Sequence, residues 1–375
     1  MRKKNRRLKP RSKLEDTAKM HLGATPDCSK MHGSNMKLLF PKSNIPSNIG
    51  NGFFYLGVEF VLDKISDNLT VVDCPFPPHN PFRLSIRQTS DTYHLPEHLC
   101  GYDAVVLAGP ILDRNFANQH GPLLRSARRQ GKPIILLSCG GRQYDEVEIA
   151  SCSALLSEIE PDILVSRDHD TYSNYAKFCK NAYDGICFAF FVSDAYQKFS
   201  MTIKEEFCIA CFDFDRERPL QDYISLETGT PELKRRYALT GTKSFKNKFL
   251  MSAQRSFKTK VDGIRVVRPS HRPIRSARHI FHKPNSFADF SFASYLHLYA
   301  NTLFTITDRL HAAVATLAFG RPAHLPLRSN RSKLLQAAGC EDVLSKFYVA
   351  DLKKLDEYKS CQTSWLENAL HSLEG

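Results

Sequence analysis

Short apolar runs alternate with stretches of helical spacing along most of this chain. A continuous apolar run of strand length is typical of a strand covered on both faces, as in a parallel sheet. Glycine or proline follows many of these runs, where a strand passes into a loop. The pattern predicts strands over residues 36–40, 69–72, 104–109, 134–137, 162–165, 186–192, 207–212, 263–268 and 303–306, with a last strand from 322.

The stretches between these runs predict helices over residues 53–65, 116–130, 153–159, 171–180, 287–300, 309–319, 332–338 and 352–373. Strands that alternate with helices are typical of a doubly wound α/β fold. Because 375 residues exceed one ordinary core, we expect two Rossmann-like domains facing a cleft. The expected N-terminal domain covers 36–200 and the C-terminal domain 201–345, followed by a helical segment over 346–375.

The net charge of +13 is concentrated near the N-terminus. Residues 1–35 contain ten Lys or Arg and three acidic residues, and they show little apolar periodicity. We therefore expect a disordered basic tail. It is either a solvated tail or an arm for nucleic acid or an anionic surface. No recognition module beyond charge favours nucleic acid as the partner.

The eleven cysteines are scattered and odd in number, which predicts a reducing, cytoplasmic compartment. Cys208 and Cys211 have the spacing of a redox motif, but the run FCIACF favours a buried strand. No His, Cys or Asp cluster has ligand spacing, so we expect no metal and no cofactor. No apolar run reaches the length of a membrane span.

The stretch from Leu303 to Leu325 is the most informative part of the chain. An apolar strand passes through Thr307 and Asp308, which are good N-cap types, into an Ala-rich helix. Arg309, Leu310 and His311 fall on the first turn of that helix. Helix N-termini bind anions, and arginine adds a fixed charge there. With His311 beside it, the element predicts an anion site that holds a proton donor or acceptor.

Two other strand ends carry candidate site residues. The turn Asn48, Gly50 and Asn51 opens a predicted helix and allows close approach of backbone to a ligand, although its glycines do not fit a dinucleotide motif. After the strand 162–165, Arg167 and Asp168 form either a stabilising ion pair or part of the site. In parallel α/β sheets, ligands bind at the carboxyl ends of strands.

These pieces resemble one enzyme family in order and spacing. The decisive piece is Thr307-Asp-Arg-Leu-His311, with Phe319-Gly-Arg-Pro322 and Lys333 after it. Segments 48–51, 102–109, 131–133, 165–168 and 184–194 match in the same order. The chain is thus similar to polysaccharide pyruvyl transferases, which implies a glycosyltransferase-B-like (GT-B-like) fold. It departs from the family at Asn51, where Asp is frequent, and at Gly109-Pro110, where a double glycine is frequent.

The resemblance implies transfer of a pyruvyl group from phosphoenolpyruvate to a sugar of a polysaccharide or other glycan, as a ketal. Such products occur in exopolysaccharides and the cell envelope. The donor would be bound by Arg309, Leu310 and His311, with Arg216 or Arg218 adding charge unless they pair with neighbouring acids. The acceptor side would hold Asn48, Gly50, Asn51 and Asp168, and the catalytic residues would be His311 and Asp308.

Two questions stay open at the level of sequence. His311 either transfers a proton or only binds phosphate, in which case Asp308, Asp168 or Asp194 is the base. The same fold also serves glycosyltransferases with a nucleotide-sugar donor, because a fold does not determine function.

Overall fold

A computed structural model describes residues 36–42, 48–65, 70–74, 101–196, 205–213, 259–261, 263–272, 284–326 and 329–373. The predicted basic tail, Arg216, Arg218 and residues 273–283 of the basic run lie outside the described residues. The predicted domain boundary near residue 201 lies outside them as well. Two six-stranded sheets account for the strands of the described part.

The first sheet is parallel throughout, with strand order β2-β1-β3-β4-β5-β6. The strands at 104–108, 134–139 and 163–166 are buried along their whole length, as the continuous apolar runs predict. The strands of this sheet are β1 (Lys37–Pro41), β2 (Thr70–Cys74), β3 (Ala104–Ala108), β4 (Ile134–Cys139), β5 (Ile163–Ser166) and β6 (Asn181–Tyr183). Its helices are α1 (Gly50–Ile65), α2 (Phe116–Arg129), α3 (Glu146–Ile159), α4 (His169–Tyr175) and α5 (Val192–Ala195).

The second sheet has the parallel order β10-β9-β7-β11-β12, and β8 pairs antiparallel with β9. Its strands are β7 (Phe207–Cys211), β8 (Lys260–Val261), β9 (Ile264–Pro269), β10 (Ser286–Phe287), β11 (Thr305–Thr307) and β12 (Ala323–His324). The remaining helices are α6 (Phe292–Asn301), α7 (Leu310–Ala318), α8 (Lys333–Ala337) and α9 (Leu352–His371). Cys208 and Cys211 lie buried in β7, which confirms the strand interpretation of their motif.

The predicted strand over 186–192 is wrong. This run forms a 3-10 turn, Phe188–Phe191, followed by α5, and the sixth strand of the first sheet is β6. The turn belongs to the hydrophobic cluster that also contains residues of α1, α7 and both sheets. Because it is apolar on every side and packs between helices, its continuous apolar run resembles that of a buried strand.

Several predicted helices differ at their ends from those in the structure, and three of them show the reasons. The helix predicted over 287–300 begins at Phe292, because Ser286–Phe287 pairs with β9 as β10. The helix predicted over 171–180 begins at His169 and changes to a 3-10 turn at Ala176–Phe178. The helix predicted from 153 begins at Glu146, where the Asp145 carboxylate accepts a hydrogen bond from Glu148 N. Side-chain caps of this kind determine helix ends, and periodicity does not detect them.

Gly57 lets α1 lie against the turn Phe188–Phe191. A Cβ on Gly57 would stand 1.9 Å from the Phe188 carbonyl oxygen, so backbone would have to move. We expect Gly57→Ala to lower the free energy of unfolding by about 2 kcal/mol or more, although alanine favours a helix by about 1 kcal/mol. Chemical denaturation measures this. Gly101→Ala is the control, since a Cβ there has no atom within 4 Å; equal stability of both variants would contradict the prediction.

The C-terminal helix α9 packs on the first sheet. Gln362 Oε1 accepts a hydrogen bond from Ile186 N at 2.7 Å, and the Trp365 ring stacks on Tyr183 at 5.1 Å. Lys359 Nζ lies 2.7 Å from the Asp194 carboxylate. The helix thereby holds the segment that leads to Cys187.

Candidate active site

The element at the centre of the site runs from β11 into α7. Thr307 Oγ1 donates to Cys211 O at 2.8 Å and accepts from Arg309 N at 2.8 Å. The predicted N-cap at Thr307 or Asp308 is therefore too early: the N-cap residue is Arg309, because the Thr307 hydroxyl keeps the chain extended up to that point. Leu310 and His311 are the first two residues of the helix.

The two acids beside this element are tied to backbone. Both carboxylate oxygens of Asp308 accept from Asp213 N, each at 3.1 Å. Asp213 Oδ1 accepts from the Ser270 hydroxyl at 2.7 Å, and its Oδ2 accepts from His271 N at 3.0 Å. The network joins the carboxyl ends of β7, β9 and β11. Asp308 thereby links the end of β11 to the end of β7 at this edge of the second sheet.

The N-terminus of α1 meets the same edge. Arg309 Nη2 donates to Asn48 Oδ1 at 2.8 Å, and Asn48 Nδ2 donates to Asn51 Oδ1 at 2.9 Å. A Cβ on Gly50 would lie 2.9 Å from His311 Cβ and 3.0 Å from His311 Nδ1. The structure thus brings Asn48 and Gly50, predicted for the acceptor side, into contact with Arg309 and His311, predicted for the donor.

His311 is only 4% exposed, yet it is a titratable group. Its Nε2 lies 4.0 Å from Cys187 Sγ, and its ring meets Phe54 edge-on with centroids 5.5 Å apart. Burial holds the pKa of His311 well below its ordinary value, and the positive charges of Arg331 and Arg167 lower it further. His271 and Arg309 act in the same direction. The imidazole is therefore neutral at neutral pH when no anion is bound.

Three guanidinium groups act on His311 through their positive charge, and we call Arg167, Arg309 and Arg331 the guanidinium cluster. Arg167 follows β5 in the first sheet, Arg309 follows β11, and Arg331 lies in the 3-10 turn Asn330–Ser332 after β12. Arg167 is fully buried, and its Nε and Nη1 have no hydrogen-bond partner among the described residues. Buried like charges repel strongly, so this arrangement favours an anion.

The other predicted site residues have separate surroundings. Asp168 caps α4, with Oδ1 accepting from Thr171 N at 2.9 Å and Oδ2 accepting from the Tyr144 hydroxyl at 2.8 Å. Its carboxylate also lies 3.7 Å from Arg167 Nε, as one of the two predicted alternatives requires. Asp194 forms an ion pair with Lys359. Both carboxylates are thus engaged in structural contacts.

Comparison with known proteins identifies the family. A model of the polysaccharide pyruvyl transferases matches residues 48–326. The chain belongs to this family. A search of curated proteins finds no match.

The solved structures that resemble this pyruvyl transferase family member share its fold. A crystal structure of UDP-N-acetylglucosamine 2-epimerase is 11% identical, covers 91% of either chain and superposes with a TM-score of 0.52. The epimerase from Neisseria meningitidis, bound to UDP-GlcNAc, is 13% identical over 89% of this chain and 93% of its own, with a TM-score of 0.48. At such identities the likeness concerns architecture alone. The predicted GT-B-like fold is confirmed.

Two members of the site were not predicted from the sequence of this family member. His271 follows β9, is almost fully buried, and its Nε2 lies 2.6 Å from the Tyr299 hydroxyl. Burial and the charge of Arg309 hold the pKa of His271 well below its ordinary value. The position of His271 directly after a predicted strand could have identified it as a site residue. Arg331 lies in a short polar turn without a motif, so nothing in the sequence indicated it.

The structure contains no group of three or more His, Cys, Asp or Glu side chains placed for a metal ion, within the residues it describes. None of the described helices has the length and apolar character needed to cross a membrane.

Proposed function

We propose that this protein transfers the pyruvyl group of phosphoenolpyruvate to two hydroxyls of one sugar in a glycan, forming a ketal and releasing phosphate. The observation that carries the proposal is the guanidinium cluster around a buried, neutral His311. Membership of the family supports the same reaction class. Phosphoenolpyruvate combines a carboxylate and a phosphate on one small skeleton, which suits several converging guanidinium groups.

The proposed binding mode uses charges from both sheets. Arg309 and the N–H groups at the start of α7 face the donor from the second sheet, and Arg167 faces it from the first. In a site this buried, each charge-assisted hydrogen bond is stronger than in water. The donor's negative charge also offsets the positive charges that lower the pKa of His311, so binding raises that pKa.

The proposed chemistry begins with a proton from His311 to the methylene carbon of the donor. The adjacent carbon becomes cationic, and the first sugar hydroxyl bonds to it. The C–O bond to phosphate then breaks, and the second hydroxyl closes the ketal ring. Of the two protons that the hydroxyls lose, one returns to His311 and the other leaves with phosphate, so protons balance. This is general acid–base catalysis by a single imidazole.

Contacts of the carboxylates favour His311 over the alternative bases. Asp308 accepts two hydrogen bonds from Asp213 N, Asp168 caps α4, and Asp194 is paired with Lys359. These contacts hold the three carboxylates against backbone or a neighbouring cation. Among the described residues, Gly50 lies beside Nδ1 of His311, and Nε2 of His311 faces the Cys187 thiol at 4.0 Å.

We expect Arg309→Ala to weaken the binding of phosphoenolpyruvate at least about 10-fold, the scale of one lost charge-assisted hydrogen bond. Isothermal titration measures this, with Arg129→Ala as control because Arg129 is an exposed residue of α2. Mass spectrometry of glycans incubated with phosphoenolpyruvate then tests for an added pyruvyl ketal. Tight binding of a nucleoside diphosphate without a response to phosphoenolpyruvate would instead support the nucleotide-sugar glycosyltransferase.

A further inference from the structure

Arg331 lies in a turn that is held firmly in place. The turn Asn330–Ser332 begins with a reciprocal cap between Ser329 and Ser332. Asn330 Nδ2 donates to Gln143 O at 2.7 Å, which joins the turn to the loop after β4. Arg331 itself is partly buried, and its Nε has no hydrogen-bond partner among the described residues. Its position is therefore determined by its neighbours rather than by its own contacts.

Arg331 differs from the other two arginines of the guanidinium cluster in its charge balance. Arg309 Nε lies 3.6 Å from Asp213, and Arg167 Nε lies 3.7 Å from Asp168. Arg331 has no ion pair with any residue that the structure describes. Burial and the charges of Arg167, Arg309 and Arg142 lower the pKa of Arg331 to about 9. A cation held among cations destabilises the protein until an anion binds.

Lys333, two residues after Arg331, is a cation that does have an acidic partner. It forms an ion pair with Asp170, and its Nζ lies 5.3 Å from the centre of the Tyr144 ring. Its charge is thus offset within the protein. Of the two cations, Arg331 is the one whose charge is available to a ligand.

We propose that Arg331 binds the phosphate group of the donor and retains it as inorganic phosphate after transfer. Arg331 is not paired with a carboxylate of the described residues, so its full charge can act on the two negative charges of a phosphate. The donor carboxylate carries one charge, which Arg167 and Arg309 can match although each lies beside an aspartate. The identity of the donor rests on the proposed function, but the phosphate subsite does not. Free phosphate should therefore compete with the donor.

The first test uses the two fragments of the donor, inorganic phosphate and pyruvate, in isothermal titration. Arg331→Met should weaken the binding of phosphate at least about 10-fold and change that of pyruvate less than about 2-fold. Arg129→Met is the control. Arg331→Lys keeps the charge but loses the planar pair of N–H donors, so its affinity for phosphate should lie between those of the wild type and Arg331→Met. A loss of pyruvate binding with phosphate binding kept would overturn the proposal, as would no change in either.

The second test is thermal unfolding with and without phosphate. Arg331→Met should melt above the wild type in the absence of ligand, because an unpaired cation is removed, and should lose the upward shift that phosphate causes. A variant that melts lower and keeps the phosphate shift would make Arg331 structural and overturn the proposal. Wild-type protein that binds phosphate but forms no ketal would instead refute the proposed function alone.

Discussion

Replacing His311 with glutamine is expected to lower the turnover of pyruvyl transfer by at least about two orders of magnitude, the usual scale for a general acid or base. Glutamine fills the space beside Gly50 and Phe54 and can hydrogen-bond, but it cannot exchange a proton at neutral pH. Binding of phosphoenolpyruvate should change far less, because the cluster arginines remain. Steady-state kinetics and titration of the same preparation measure the two quantities.

His169→Gln is the matched control, since this histidine is exposed at the surface beside Asp184. It should leave both quantities within a few-fold of the wild type. Turnover of His311→Gln within a few-fold of the wild type would remove His311 from the chemistry. A large loss of donor binding with little loss of turnover would make His311 a donor ligand only.

Much of the fold could be predicted because its central strands are buried. The runs before Gly109 and at 134–137 are continuous and apolar, and they form β3 and β4 in the core of the first sheet. The strand-to-helix element with Arg309 and His311 was equally accessible, because an anion site of this kind is local in sequence. The wrong strand prediction over 186–192 also results from burial. Burial on all sides makes a run apolar whatever its backbone conformation, and Gly57 on a helix distant in sequence leaves the room that this turn occupies.

The assembly of the site could not be predicted, since it depends on contacts between distant segments. Asn48 and Arg309 are 261 residues apart in the sequence and form a hydrogen bond. The predicted acceptor side and donor side are therefore in contact at this point. Arg167 and Asp168 could be recognised from the sequence, with an ion pair as one of two alternatives for them. The approach of Arg167 to His311 depends on how the two sheets pack. Arg331 had no sequence signal, because a polar turn with an arginine is ordinary at a surface.

Acidification is expected to destabilise the protein steeply below pH 6.5. Burial is the main reason that the pKa values of His271, His311 and His324 lie below the ordinary value. In the unfolded chain these histidines titrate near pH 6.5, so above that pH neither state binds extra protons. Below pH 6.5 the unfolded chain binds protons that the folded protein does not bind. Each histidine then costs about 1.4 kcal/mol of stability per pH unit, down to its folded pKa.

Three such groups give a slope of up to about 4 kcal/mol per pH unit, large against a total stability of about 5–15 kcal/mol. Denaturant unfolding at pH 7.5, 6.5 and 5.5 measures the slope, and His311→Gln should reduce it by roughly one histidine's share. Saturating phosphate should also flatten it, because a bound anion raises the pKa of His311 toward its ordinary value. An unchanged slope in His311→Gln would mean that this imidazole protonates as readily in the folded protein as in the unfolded chain. It would then be charged at mildly acidic pH without a donor, and the proton of the proposed reaction could not depend on donor binding.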